Sequence, residues 1–169
     1  MSEIASIMAP PSAPPLGLRQ RWLGRAMHLY FRFARGMTLG VRGAVLNDRG
    51  EVFLVRHGYT PGWHLPGGGV EVGETLIEAL AKELREEGCI ALADKPVLHG
   101  ICFNRRASRR DHVAVFVVRD FRVEGEKIPD HEIAEARFFP LADLPEGTTP
   151  ATRRRLDEIA RGLPCDPDW

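Results

Sequence analysis

The sequence of 169 residues contains few cysteines, few lysines and no long apolar run. Its three cysteines, Cys89, Cys102 and Cys165, are widely spaced and include no C-x-x-C pair. This pattern excludes a disulfide framework and a cysteine zinc site, and it favours reduced thiols in a cytoplasmic protein. No apolar stretch approaches the roughly 20 residues that span a bilayer, and the first residues do not have the pattern of a secretory signal.

An excess of charge of one sign is also missing, because Lys plus Arg and Asp plus Glu both number 23. A chain without net charge has no overall field that attracts nucleic acid, so we expect no nucleic-acid partner. The hydrophobic fraction of 44% and the charged fraction of 27% are ordinary for globular proteins, which excludes collagen-like and disordered chains. A chain of this length forms one domain with at most a short appendage.

The first 35 residues differ in composition from the rest of the chain. Segment 1–16 is rich in proline, and we expect it to be disordered. Segment 17–35 mixes arginines with aromatic and aliphatic residues, which predicts a basic amphipathic helix. That helix would pack on the domain or on a sister subunit in a homodimer, or it would lie on an anionic membrane. Its poorly defined apolar stripe favours packing. The domain then spans 36–162, and 163–169 form a short tail.

The pattern of the domain predicts strands that surround a central helix. The expected strands are 38–46, 51–57, 97–103, 112–121 and 133–139, and the expected helices are 75–87 and 149–161. The first two strands, joined by the turn 47–50, form a predicted hairpin. This order of elements indicates an α/β or α+β sandwich around a mixed sheet.

The helix at 75–87 places acidic residues at the edge of its apolar face. Thr75 and Glu78 match a capping box, and Gly88 suits the left-handed position at the end of the helix. At 100° per residue, Glu83 and Glu87 fall at the border of the leucine stripe. Like charges four residues apart repel, and burial increases the cost. A shared hard cation, Mg²⁺ or Mn²⁺, would compensate, whereas a merely acidic helix edge is the alternative.

A glycine-rich loop before this helix completes a recognisable spacing. The run from Gly68 through Glu74 to residues 82–90 resembles the Nudix box, which is the motif G-x5-E-x7-R-E-U-x-E-E-x-G-U with U aliphatic. The lead-in at 63–69 and the tail at 132–145 are also typical of the Nudix hydrolase family. Two positions depart from the pattern, because Lys82 stands for Arg and Cys89 stands for Gly.

The resemblance implies an α/β/α sandwich that hydrolyses a nucleoside diphosphate derivative or a nucleoside triphosphate with Mg²⁺ or Mn²⁺. The implied metal ligands are Glu83, Glu86, Glu87 and the carbonyl of Gly67. One of the three glutamates would also act as general base, so all three are candidate catalytic residues. The implied supporting residues are Gly68, Glu74, Lys82 and Glu132. For Glu132, the alternative is a surface charge.

Several other residues are candidates for binding the substrate. They are Arg56, Tyr59, Trp63, Arg105 and Arg106. Arginines can clamp a phosphate and aromatic rings can stack on a base, although a solvated turn and a packed tryptophan are the alternative interpretations. The main hypothesis is a pyrophosphohydrolase acting on a small nucleotide derivative. A second hypothesis is a binding module of the same fold that senses a nucleotide with little or no turnover.

Overall fold

In the computed structural model of this chain, the described residues are 36–169 together with Met27 and Tyr30. The expected tail 1–16 and the helix expected at 17–35 therefore lie outside the described residues, except for those two positions. The strands are β1 (Thr38–Val45), β2 (Glu51–His57), β3 (Ile90–Leu92), β4 (Val97–Phe103), β5 (Asp111–Val118), β6 (Phe121–Val123) and β7 (Ile133–Pro140). The helices are α1 (Leu76–Gly88), which follows β2, and α2 (Pro150–Arg161), which follows β7.

The strands form a mixed arrangement of three small sheets. β5 lies between β1, which is parallel to it, and β4, which is antiparallel to it. β2 pairs with β7 and β3 pairs with β6, both antiparallel. None of the helices in the described part of the chain is both long and apolar enough to cross a bilayer.

Side chains on opposite faces of the strands enter two separate cores. In β5, Ala114 and Phe116 join the core that contains Leu80 and Leu84 of α1. Val113 and Val115 join the other core, which contains Leu156 of α2. This alternation follows from the two-residue period of a strand. Because the strands are covered on both faces by helices, the α/β/α sandwich expected from the sequence is confirmed.

The expected hairpin of β1 and β2 is wrong. The two strands share a turn, in which the Asn47 N–H donates to the Glu51 carbonyl at 3.0 Å, and an isolated bridge between Leu46 and Val52. Beyond that point they separate, and each pairs with a different strand along its length. The residues of the turn predict only the turn itself. The separation of β1 from β2 is caused by a segment further along the chain.

That cause is the glycine-rich segment, which occupies the edge of β1 that β2 would need. The Val41 N–H donates to the Gly68 carbonyl, and the Gly43 N–H donates to the Pro66 carbonyl, both at 2.9 Å. On the other side of the gap, Val55 of β2 exchanges two backbone hydrogen bonds with His64. The chain between β2 and α1 is thus inserted between the two strands and satisfies the backbone groups of both.

The N-terminus of α1 is capped as the sequence predicts, whereas its C-terminus differs from the prediction. The capping box of Thr75 and Glu78 is confirmed. At the C-terminus, the left-handed residue is Cys89, with φ of 51°, and not Gly88, as we expected. Gly88 lies inside the helix, where a Cβ atom would come 2.6 Å from a ring carbon of Phe53. Its small size is therefore needed for packing, and the strained conformation falls on the cysteine.

Residues after α2 lie along β4 and contact the second core. The Phe103 N–H donates to the Pro167 carbonyl at 2.7 Å, and the Trp169 N–H donates to the Phe103 carbonyl at 3.0 Å. Arg155, which is fully buried, donates to the carboxylate of Glu158 at 2.6 Å and to the carbonyl of Asp166 at 3.1 Å. Segment 163–169 is thus attached to the domain by backbone bonds and a buried guanidinium.

The two residues at the end of α1 give a paired stability prediction. Cys89→Gly should raise the free energy of unfolding by about 0.5–1 kcal/mol, because glycine adopts a positive φ without a Cβ penalty. Gly88→Ala should lower it by about 1–3 kcal/mol through the contact with Phe53. Urea denaturation measures both changes. A loss of stability in Cys89→Gly would contradict the assignment of strain to that residue.

Candidate active site

The backbone of the glycine loop approaches β1 and α1 more closely than any side chain would allow. Gly67 has φ of 140°, and a Cβ atom there would lie 2.1 Å from the Val41 carbonyl oxygen. A Cβ atom on Gly68 would lie 2.5 Å from Oε1 of Glu83. Glycine at these two positions therefore brings the loop backbone next to the carboxylates of the helix.

Glu87 is the most deeply placed of these carboxylates, with 4% of its surface exposed. Its Oε2 accepts a hydrogen bond of 2.7 Å from the Gly67 N–H. Burial raises the pKa of Glu87 to about 7, although the bond from Gly67 and the charge of Arg42 act in the opposite direction. A buried carboxyl group facing a cleft with a pKa near neutrality is typical of a functional site.

Glu83 lies one turn earlier on the same face of α1 and is half-buried. Burial raises the pKa of Glu83 as well, against the charge of Lys82, which lowers it. Glu86 has an exposed side chain and does not line the cleft that Glu83 and Glu87 line. The structure therefore brings two of the three predicted glutamates together and leaves the third at the helix edge.

Glu74 and Lys82 connect the loop to the helix. The Lys82 Nζ lies 3.8 Å from Oε1 of Glu74, and Oε2 of Glu74 accepts from the Glu71 N–H at 3.0 Å. Both side chains are partly exposed, so this ion pair contributes little stability by itself. Its geometry shows that lysine at position 82 still reaches the glutamate of the loop.

His57, Tyr59 and Glu132 line the same cleft. His57 is buried, and its Nε2 lies 3.8 Å from Oε1 of Glu87. Burial lowers the pKa of His57, and the charge of Arg42 lowers it further. The Tyr59 hydroxyl lies 3.5 Å from Oε1 of Glu132, at the limit of a hydrogen bond. Donor atoms of His57, Glu87 and Glu132 all lie within 4.8 Å of one another.

Arg42 of β1 lines the cleft, although no motif of the sequence indicates it. Its Nη1 donates to the Leu65 carbonyl at 3.2 Å and also to the Gly67 carbonyl. Burial lowers the pKa of Arg42, while the charges of Glu87 and Glu83 raise it. A single arginine within the apolar strand Thr38–Val45 is the signal that could have identified it.

The cleft has a volume of ≈ 300 Å³, and it shares lining residues with a second cavity of ≈ 270 Å³. Residues common to both are Arg42, His64, Gly68 and Gly69. Polar groups dominate the first cavity, whereas the second also contains Leu39, Leu65, Val113 and Trp169. The second cavity is also lined by Asn104 and Asp111. The first can therefore hold a charged group, and the second can hold a group with both polar and apolar surface.

Of the five residues considered for substrate binding, the structure brings only Tyr59 into the cleft. Trp63 is 6% exposed and packs against Phe139 at a ring distance of 4.7 Å. Arg56 pairs with Glu135 on the surface at 2.9 Å. Arg105 and Arg106 are exposed on the turn between β4 and β5. Arg105 lies 3.4 Å from the carboxylate of Asp168.

An α/β/α sandwich in which a glycine loop presents backbone groups to buried glutamates of a helix is the architecture that the Nudix box implies. The chain matches the NUDIX domain over residues 36–159 and belongs to that family. The family expected from the sequence is therefore confirmed.

Similar proteins differ in the substrates that their names give. The RNA pyrophosphohydrolase of Halorhodospira halophila is 48% identical over 54 residues, or 32% of this chain and 30% of that protein. The ADP-ribose pyrophosphatase of Methanocaldococcus jannaschii is 37% identical over 112 residues, or 64% of this chain and 65% of that protein. The chain thus matches less than two thirds of either relative.

Among solved structures, the MutT NUDIX hydrolase from Burkholderia pseudomallei is similar, with a TM-score of 0.62 and 27% identity. The similarity covers 72% of this chain and 97% of that structure. It includes the greater part of the described domain, in agreement with the family match.

The buried carboxyl group gives a pH-dependent prediction. The pKa of Glu87 rises from 4.5 in the unfolded state to about 7 in the native state. Between these two pH values, the native state keeps a proton that the unfolded state has lost. Stability should therefore fall as pH rises through this window. In EDTA, Glu87→Gln should be more stable than the wild type above pH 7 by up to about 3 kcal/mol, and little different near pH 4.5.

Urea denaturation at about pH 5 and about pH 8 measures this difference. The exposed Glu86→Gln serves as the control and should show no comparable gain at the higher pH. An equal effect of Glu87→Gln at both pH values would contradict the raised pKa.

Proposed function

We propose that this chain is a divalent-metal-dependent pyrophosphohydrolase that cleaves the phosphoric anhydride of a nucleoside diphosphate derivative or a nucleoside triphosphate. The observation that carries the proposal is the approach of the loop backbone to two carboxylates in one cleft, at Gly67 to Glu87 and at Gly68 to Glu83. Buried carboxylates that repel each other are costly unless a cation or a proton compensates. Retaining two of them at one cleft is what metal-assisted hydrolysis needs.

The donor atoms around the cleft fit Mg²⁺ or Mn²⁺, because carboxylate and carbonyl oxygens are the ligands that hard cations prefer. In this proposal Glu83, Glu86 and Glu87 hold the metal, with the carbonyl of Gly67 as a further ligand. When bound, the metal neutralises phosphate oxygens and lowers the pKa of a water molecule. Glu86 is exposed at the edge of the site, so its side chain would have to reach towards the cleft.

The other residues of the cleft position the reacting groups. One of the glutamates accepts the proton of the attacking water, and the deep position of Glu87 excludes bulk water from its carboxyl group. Glu132, near the Tyr59 hydroxyl and within 4.8 Å of Glu87, assists from within the cleft. Glu74 and Lys82 support the junction of the loop and α1.

The two adjoining cavities and the relatives support the proposed substrate class. The polar cavity would take the diphosphate, and the cavity lined by Trp169 and Val113 would take the nucleoside. The names of the relatives suggest ADP-ribose as the first compound to test and RNA carrying a 5′ triphosphate as the second. A cytoplasmic location, expected from the wide spacing of the three cysteines in the sequence, is part of this proposal.

A turnover assay tests the proposal. With Mg²⁺ or Mn²⁺, the wild type should release phosphate-containing products from at least one nucleoside diphosphate derivative, and EDTA should abolish the reaction. Glu83→Gln should lower kcat/KM by about 100-fold or more, because it removes a charge from the metal site. Glu135→Gln, whose side chain pairs with Arg56 outside the cleft, is the matched control and should retain activity.

The competing function is a binding module that senses a nucleotide. It predicts a nucleotide-dependent rise in Tm without any product over a panel of ADP-ribose, other nucleoside diphosphate derivatives and nucleoside triphosphates. That result, obtained with folded protein and both metals, would contradict the enzymatic proposal.

A further inference from the structure

Arg42 is the one arginine or lysine, among the described residues, that lines either of the two cavities. It lines both of them, at the boundary between the glutamate-containing cleft and the cavity with Trp169. A diphosphate that spans this boundary would carry at least two negative charges. Arg42 is therefore the permanent protein cation that such a group would meet.

The present partners of Arg42 belong to the proposed metal site. Its guanidinium donates to the Gly67 carbonyl, the same oxygen that the family resemblance assigns to a metal. Its positive charge also lies in the cleft that the carboxylates of Glu83 and Glu87 line, so it attracts them. No ion pair within 4 Å joins Arg42 to either carboxylate in the described structure. The attraction therefore acts across the cleft and does not hold the guanidinium against either carboxylate. Arg42 thus provides positive charge where a divalent cation would provide it.

Two cations at one cluster of ligands compete. A divalent cation bound by Glu83, Glu87 and the Gly67 carbonyl would lie close to the guanidinium, and the repulsion would favour movement of Arg42 away from that carbonyl. The planar guanidinium suits a phosphate, which it can contact through two N–H groups. Arg42 also lines the second cavity, together with Asp111.

We propose that Arg42, beside Glu83 and Glu87, holds the Gly67 carbonyl until a divalent cation binds, and that the displaced guanidinium then binds the diphosphate of the substrate. This inference rests on the proposed function. It makes Arg42 a substrate-binding residue whose availability depends on the metal, so metal and substrate bind cooperatively.

The sign of a metal-binding change tests the inference. Mn²⁺ affinity, measured from the electron paramagnetic resonance signal of free Mn²⁺, should increase about 3- to 10-fold in Arg42→Gln, because a competing charge is removed. Arg42→Lys keeps the charge and should bind Mn²⁺ as the wild type does. With Mn²⁺ present, both variants should bind the α,β-methylene analogue of ADP-ribose at least about 10-fold more weakly, because both lose the fork that contacts phosphate.

The control is Arg56→Gln, which removes an exposed arginine paired with Glu135 and should change neither affinity. A purely structural role for Arg42 predicts weaker Mn²⁺ binding in Arg42→Gln together with a lower Tm, and that result would overturn the inference. Unchanged Mn²⁺ affinity would overturn it as well. If Arg42→Gln fails to fold, Arg42→Lys decides. Binding of the ADP-ribose analogue by Arg42→Lys with the affinity of the wild type would overturn the inference, whereas weaker binding of the analogue with unchanged Mn²⁺ affinity would support it.

Failure of the proposed function has a different signature. In that case the wild type itself would bind Mn²⁺ no better than Glu83→Gln does, whatever the behaviour of the Arg42 variants. Normal Mn²⁺ binding and turnover in the wild type, without the expected changes at Arg42, would contradict only the inference about this residue.

Discussion

The structure of the site depends on the hydrogen bonds that attach the glycine loop to the edge of β1. Val41 and Gly43 donate to carbonyls of the loop, and the Val70 N–H donates to the Leu39 carbonyl at 2.9 Å. These bonds fix the loop as an irregular extension of the sheet. Because the loop is fixed, the Gly67 N–H points at Glu87 from a rigid support. Sites held by regular elements are positioned more accurately than sites on free loops.

The same attachment explains why a group of acidic residues can persist at the border of the core. Leu80 and Leu84 bury the apolar face of α1, so the helix has enough hydrophobic contact to hold Glu83 and Glu87 where they are. Carboxyl groups in such positions reduce stability, and proteins commonly retain this cost at functional sites. The raised pKa of Glu87 is the measurable form of that cost.

Local patterns in the sequence predicted the parts of the structure that depend on neighbouring residues. The capping box follows from the three-residue spacing of Thr75 and Glu78, and the structure has it. The position of Glu87 beside the leucine stripe follows from the period of a helix, and in the structure its side chain is buried even more deeply than that position indicates. The separation of β1 from β2 could not be predicted in this way, because it is decided by residues 66–70, which compete for the same strand edge. Arg42 was missed for a related reason, since its partners are more than 20 residues away.

Size constraints between residues that are distant in the sequence could not be predicted from local patterns either. Gly88 was expected to end the helix because glycine is common there, yet the ring of Phe53 requires it inside the helix. The substrate candidates chosen by residue type had the same limitation. Trp63 is used for packing against Phe139, and Arg56 for a surface ion pair. Residue type indicated the chemistry, whereas only the fold indicated which side chains reach the cleft.

The contact of segment 163–169 with Phe103 has a consequence for the behaviour of the protein in concentrated solution. β4 pairs with β5 on one side, and the bridge between Phe103 and Asp168 covers one end of its other edge. Uncovered strand edges template cross-strand aggregation between molecules. Proteolytic loss of these few residues would uncover the backbone N–H and C=O of Phe103, on the edge strand that also carries the exposed side chains of Val97, Leu98 and Ile101. We expect that loss to favour precipitation by intermolecular β-pairing.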